Sequence, residues 1–418
     1  AVTSSINVAG TLNMNGTNTV LTPTAAVVIN SVTPTGTVSG NGTLQVTRTS
    51  ATADFISQYR FSTNTLGSMT VDYIAGAAQS VNSAAQVGNY GTLKTSTSGT
   101  KTLVGAVVAN NSVNIGSGTT LDVTTSNYQI TDGGDWTNSG AFTARSGTVL
   151  FNATTSGKTL SGAMTSGSKF NHVTFNGSGG GWTFSNNADL GGNFTLTAGT
   201  VTAPSVLQVA GNWSNSGTYN NGGGLVTFNG SSAQSLSGTS ITDFDDVTIN
   251  NSNGVSLSSV DEEIDGTLTL TSGRLTLNAF NLTLDDSSPA IAGTMSSSAM
   301  IVTNGAGYLR KEFSANGSYL FPVGDNTPTY TPLSIDLTSG TYGSGAYAGV
   351  RTSNVKHPNN ANLNDYLNRY WSIRTSAITS PVYDVVSANY ATSDVTGTEG
   401  NISAGEYPLA LPWLRYGV

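Results

Sequence analysis

A long cassette occurs twice in this chain, first as GDWTNSGAFTARSGTVLFNATTSGKTLSG and then as GNWSNSGTYNNGGGLVTFNGSSAQSLSG. Trp136 matches Trp213, Gly140 matches Gly217, Phe142 matches Tyr219 and Phe151 matches Phe228, all at an offset of 77 residues. The match then continues at an offset of 74, with Phe170 and Val173 against Phe244 and Val247, and Phe194 and Gly199 against Leu268 and Gly273. A loss of three residues between preserved phrases is tolerated by a turn, not by a strand. Self-similarity at this period implies stacked units, because one such unit cannot bury its inner face alone.

The units are built of strands. Segments such as GTLQVTRTS, GSMTVDYI, GTVLFN and GTLTLTSG alternate apolar and polar residues with period two and are punctuated by Gly, Asn and Ser, and none keeps helical spacing over a useful length. In LTLTSGRLTLNAFNLTLDD, the pairs Leu268/Leu270, Leu275/Leu277 and Leu282/Leu284 place leucine on one face and leave threonine on the other. TSGTKTLVG at 97–105 echoes TSGKTLSG at 155–162. A meander or two-layer sandwich gives the same local alternation; the long repeats favour coils. The sequence therefore predicts an all-β chain, with a right-handed parallel β-helix over 1–300. From 301 to 418 proline, tyrosine and longer polar loops separate the strands, which predicts a smaller β-sandwich-like module. The closing LPWLRYGV is strand-like.

Only 9% of residues are charged, but 37% are apolar and they fall in alternating runs, so the chain reads as a Thr/Ser/Asn-faced sheet protein and not as disordered. A net charge of −8 without any Lys/Arg cluster in sequence makes nucleic acid and anionic membranes poor partners. There is no cysteine, so stability cannot rest on disulfides. No run approaches the ~20 apolar residues of a membrane-spanning helix, and the start, AVTSSINVAG, lacks the basic and apolar regions of a signal peptide.

Several residues carry candidate chemistry. Trp136 and Trp213 could stack on sugar rings if exposed, giving a carbohydrate-binding surface; packing is the simpler reading of a repeated aromatic. Asp243, Asp245, Asp246, Asp261 and Glu263, with Glu262 and Asp265 beside them, form the densest reservoir of oxygen ligands for calcium, although no spaced calcium loop is present. A solvated acidic patch is the plainer alternative. The same carboxylates could serve a polysaccharide hydrolase as an acid/base pair, while a lyase would also need a basic group that this stretch lacks. His172 and His357 belong to no metal or hydrolase motif, and His172 is expected to face solvent. The Gly-rich GSGGGW and GGG fit tight turns better than a phosphate loop. Thr-x-Thr pairs at Thr195/Thr197 and Thr269/Thr271 lack the regularity of an ice-binding array.

FDDVTINNSNGVSLSS, GTLTLTSGRLTLNAFNLTL and FNHVTFNGSGG, followed by YLRKEFSANGSYLFPVGDNTPTYTPLSI and LNRYWSIRTS, resemble surface proteins of the Bacteroidetes phylum, the secreted filaments and adhesins carried by the type IX secretion system. The likeness covers about 134–375 well, and the order of coil phrases, FPVGD and NRYW is its most specific part. It implies export to the cell surface and roles in adhesion, gliding or extracellular matrix, with no catalytic motif to transfer. The expectation is a non-enzymatic, secreted structural or adhesive protein without a required cofactor, acting as a rigid spacer or filament component. Its expected partners are surface polysaccharide, other cell-surface proteins, the secretion or anchoring machinery, or further copies of itself. A carbohydrate-binding module and a β-helical polysaccharide-degrading enzyme are the alternatives.

Overall fold

The computed structural model describes residues 5–50, 52–303, 305–408 and 414–415. It is all-β, a parallel β-solenoid of about fourteen turns followed by further β-sheet modules. The chain divides into two compact units, Ala1–Gly230 with Ser237–Asp245, and Ser231–Leu236 with Asp246–Val418.

In the first unit each coil returns the chain to lie parallel on the coil before it. Ile130, Val149, Val173, Phe194 and Trp213 are successive register partners, and all five are buried. One residue later the partners Leu150, Thr174, Thr195 and Ser214 form the outward column, because side chains alternate across a strand. Period-two alternation in the sequence therefore becomes an apolar column inside and a mostly polar one outside.

The cassette is an aromatic core unit built twice. Trp136 meets Phe142, Phe151 and Phe170 at centroid distances of 5.0, 6.2 and 5.2 Å. Trp213 meets the matching Tyr219, Phe228 and Phe244 at 4.9, 6.2 and 5.2 Å. The edge-to-face contact Phe151–Phe170 likewise recurs as Phe228–Phe244, both at 6.1 Å. The three-residue deletion thus leaves these ring contacts in place, as expected if it falls in a turn.

The cassette's glycines and asparagines turn the corners. Gly162 and Gly238 adopt φ of +91° and +127°, and a Cβ on either would lie 2.0 or 1.8 Å from the carbonyl oxygen of Asn138 or Asn215 on the coil beneath. Both asparagines are buried; their Oδ1 atoms accept the N–H of Gly140 and Gly217, each at 3.1 Å. The first unit also contains two short helices that the strand pattern did not foresee, Asp54–Gln58 and Ala84–Val87. The first is held by a buried aspartate, since Asp54 accepts the N–H groups of Ser50 and Ser80. Lys101, on the TSGTKTLVG echo, is buried too, and its ammonium donates to the carbonyls of Ala75 and Ala77 and to Gln79 Oε1.

In the second unit Val255, Leu275, Ile301 and Val323 stack in parallel register, and all six leucines of the alternating pairs are buried. Leu309–Glu312 then marks a change of grammar: it lies parallel to Leu282–Leu284 on one side and antiparallel to Leu333–Ser353 on the other. The 21-residue strand Leu333–Ser353 also pairs with Gly317–Phe321 and, along its other edge, with the 19-residue strand Tyr370–Ala388. Of LPWLRYGV, Leu414–Arg415 pairs with Gly405–Glu406; the rest lies outside the described residues. Because the glycine corners leave no room for a Cβ and hold a positive φ, Gly238→Ala is expected to lower stability by about 2 kcal/mol or more, read as a shifted urea midpoint.

Candidate functional site

The sugar-stacking reading of Trp136 and Trp213 is overturned by burial. Both indoles are 0% exposed, so neither has a face to offer a ring, and Trp213 Nε1 is spent on Thr242 Oγ1 at 3.1 Å. The repetition of these residues reflects the core.

The acidic candidates are dispersed along the coils, and several of their oxygens are already used. Asp246 Oδ1 accepts the N–H of Thr267 at 2.6 Å. Asp261 accepts the N–H and the Nδ2 of Asn281, both at 2.8 Å, and pairs with Arg310 at 3.4 Å. Asp243 and Asp245 lie in the first unit, around the Asn221–Gly223 turn: Asn221 Nδ2 donates to the Asp243 carbonyl, and Asp245 approaches Gly223. Glu263 is half-buried, its carboxyl pushed up by burial and then by Asp265 and Asp285. Among the described residues no group of three or more His, Cys, Asp or Glu side chains comes together to hold a metal ion.

Asp246 and His172 have a common task. They are the matched residues of the two cassettes, and His172 Nδ1 accepts the N–H of Asn193 at 3.0 Å just as Asp246 accepts that of Thr267. His172 is half-buried by this bond and does not simply face solvent. Asn193, Asn187 and Asn281 extend the device, each accepting one N–H from the following coil. His357 packs instead against the rings of Tyr370 and Tyr407, and burial holds its imidazole below the usual value.

A groove of about 700 Å³ lies in the first unit, lined by Ser156, Ser178, Thr183, Thr200, Thr202, Ser216 and Thr218 with glycines, Ala198 and Trp182. Hydroxyls of three coils converge there, since Gly181, Thr200 and Thr218 are register partners, as are Thr183, Thr202 and Asn220. No Asp, Glu, His, Lys, Arg or Tyr lines it, so the groove itself presents hydrogen-bonding groups and no proton-transfer pair.

The most heavily built polar constellation joins the two phrases singled out in the sequence, FPVGD and NRYW. Arg369 of NRYW is buried. It pairs with Asp325 of FPVGD at 2.7 Å and with Asp394 through Nε at 2.7 Å and Nη2 at 3.1 Å. Thr352 Oγ1 accepts from its Nη1 and Asn354 Oδ1 from its Nη2, and Trp371 Nε1 donates to the Thr331 carbonyl at 2.9 Å. Burial pushes the Asp325 carboxyl up, but hydrogen bonds from Thr327 and the Arg369 guanidinium outweigh it and leave it below its usual range. Sequence reading noticed the phrases but could not see that they meet, because Asp325 and Arg369 are separated by strand Leu333–Ser353.

No protein-family model, no curated protein and no solved structure matches this chain.

Two outcomes follow from these buried charges. Arg369→Ala leaves two acids without their cation and is expected to destabilise the second unit by about 3–5 kcal/mol, with Arg369→Lys recovering only part because it cannot bond both carboxylates as a fork; denaturant titration measures both. Asp132 is 0% exposed and its carboxyl is pushed up to about 7, chiefly by burial. Between about pH 4 and 7 the folded chain holds a proton that the unfolded chain has lost, so stability falls as pH rises through that window and levels off above it. Asp132→Asn should flatten this slope, which amounts to about 4 kcal/mol at most across the window, in urea midpoints compared at pH 4 and 8.

Proposed function

We propose that the chain is an extracellular structural and adhesive protein, a stiff spacer or filament component whose task is to hold a position and carry load. The observation that carries this reading is how the repeated residues are used. In the cassette, tryptophan, phenylalanine, asparagine and glycine serve to fasten one coil to the next, through the duplicated aromatic cluster and the buried asparagine corners. Repetition spent on cohesion is what a mechanical element requires, since neighbouring coils supply each other's stability. The arginine clamp of the second unit suits the same purpose, tying FPVGD to NRYW with a buried charge network.

The sequence likeness to Bacteroidetes surface proteins supports export to the cell surface, and the hydroxyls lining the groove of the first unit offer hydrogen bonds to a bound partner. Single-molecule pulling tests the mechanical reading: the wild type is expected to unfold in discrete steps at forces that Gly238→Ala lowers. Gradual extension at low force, or turnover of a polysaccharide with release of new sugar ends, would sink it. The hydroxyl-lined groove supports a second reading, contact with a neutral glycan. If that holds, Thr200→Trp, which fills the groove, abolishes signals seen for the wild type on a glycan array.

A further inference from the structure

The outward face of the sheet in the second unit sorts its charges by strand. Across it, Glu263, Thr283, Arg310, Gly349 and Arg374 are successive register partners. One step along the strands, Glu312 partners Tyr347 and Ser376, while Asp265 and Asp285 follow the ends of the Glu262–Ile264 and Leu282–Leu284 strands. One step the other way, Arg351 partners Ser372. The face is thus acidic at Glu263, Asp265 and Asp285, mixed on the central strand with Arg310 and Glu312, and basic at Arg351 and Arg374.

The acidic end is only partly offset, by the Lys311 ammonium beside Asp285, Asp286 and Glu312, and the basic end has no carboxylate partner among the described residues. Burial, then Asp285, Glu263 and Asp286, hold the Glu312 carboxyl above its usual value, as Asp265 and Asp285 do in part for Glu263. At the other end the Arg351 and Arg374 guanidinium groups lie 5.0 and 5.7 Å from the centre of the Tyr308 ring. Neither forms an ion pair with a carboxylate side chain among the described residues, and the remaining residues include no Asp or Glu. Four strand intervals separate the ends, roughly 19 Å at ~4.8 Å each. That is more than twice the screening length of about 8 Å at physiological salt, so the ends do not satisfy one another across the face.

We propose that this face is a self-association surface, on which a second copy of the chain, related by a two-fold axis along the Leu309–Glu312 strand, sets its arginines on the first copy's acids and its acids on the first copy's arginines. Such a pattern is self-complementary, as an isologous contact must be. A polyanion longer than the basic end is disfavoured, because it would run onto the acidic strands. A face some 20 Å across falls short of the ~800 Å² per partner of a standard interface, so the association is weak and electrostatic.

Sedimentation velocity of the full chain tests this. Wild type is expected to self-associate at 50 mM NaCl, and 500 mM NaCl should weaken the association at least about tenfold. Arg374→Glu alone and Glu263→Arg alone should both be monomeric, each with the wild-type thermal melt, and an equimolar mixture should associate again, because the two reversed faces complement each other. Three results would overturn the proposal: wild type monomeric at low salt, association that ignores both substitutions, or no rescue in the mixture. Retention on an anionic polysaccharide column by a chain that stays monomeric would also overturn it, assigning the arginines to a glycan.

Discussion

The structure depends on one constraint, the satisfaction of backbone N–H groups where a coil turns out of its parallel ladder. Along the strands the neighbouring coil supplies the partners. At the corners the ladder lapses, and a donor left there without a partner costs up to roughly 1–3 kcal/mol where water does not reach it. The chain meets this with short side chains that reach to the next coil: Asn187 to Val206, Asn193 to Asn212, Asp246 to Thr267, Asp261 to Asn281 and Asn281 to Tyr308. Buried lysines treat the complementary problem, that of corner carbonyls, at Lys101 and again at Lys311, whose ammonium donates to the carbonyls of Asp285 and Asp286.

This constraint explains why the chain's acidic and asparagine-rich phrases look like ligand sites in sequence. A run such as DFDDVTIN offers carboxylates at a density that invites a metal, yet the stack already draws on Asp246, whose matched residue in the other cassette is a histidine with the same backbone donor. Histidine and aspartate are interchangeable there because the position needs an acceptor, not a charge. The tryptophans follow the same logic on the apolar side, where a large ring spans the interior between coils and finds phenylalanine at fixed distances.

The second unit adds what a bare solenoid lacks, an element that ends the parallel stacking. Leu309–Glu312 accepts a parallel neighbour on one side and an antiparallel one on the other. The long Tyr370–Ala388 strand beyond it carries Pro381 and register shifts against its partner. Such interruptions blunt an open edge that would otherwise invite pairing with other chains. Arg369 ties that strand's start to FPVGD, so the chain closes its sheet with a charge network and without a disulfide.

The sequence by itself determined the class of fold and much of the core. Period-two alternation fixed which leucines face inward, and the cassette offsets located the tolerated deletion, because both are properties of local spacing that survive without knowledge of partners. It could not decide exposure or convergence. Packing is the simpler reading of Trp136 and Trp213, but a platform is excluded only by the neighbouring coils that cover them, and Asp325 and Arg369 were two separate phrases until antiparallel pairing brought them within 2.7 Å. The separation of charge between Glu263 and Arg374 was equally hidden, since those residues become neighbours on one face only when five strands are laid in register. Burial and juxtaposition depend on contacts distant in sequence, and only the tertiary structure supplies them.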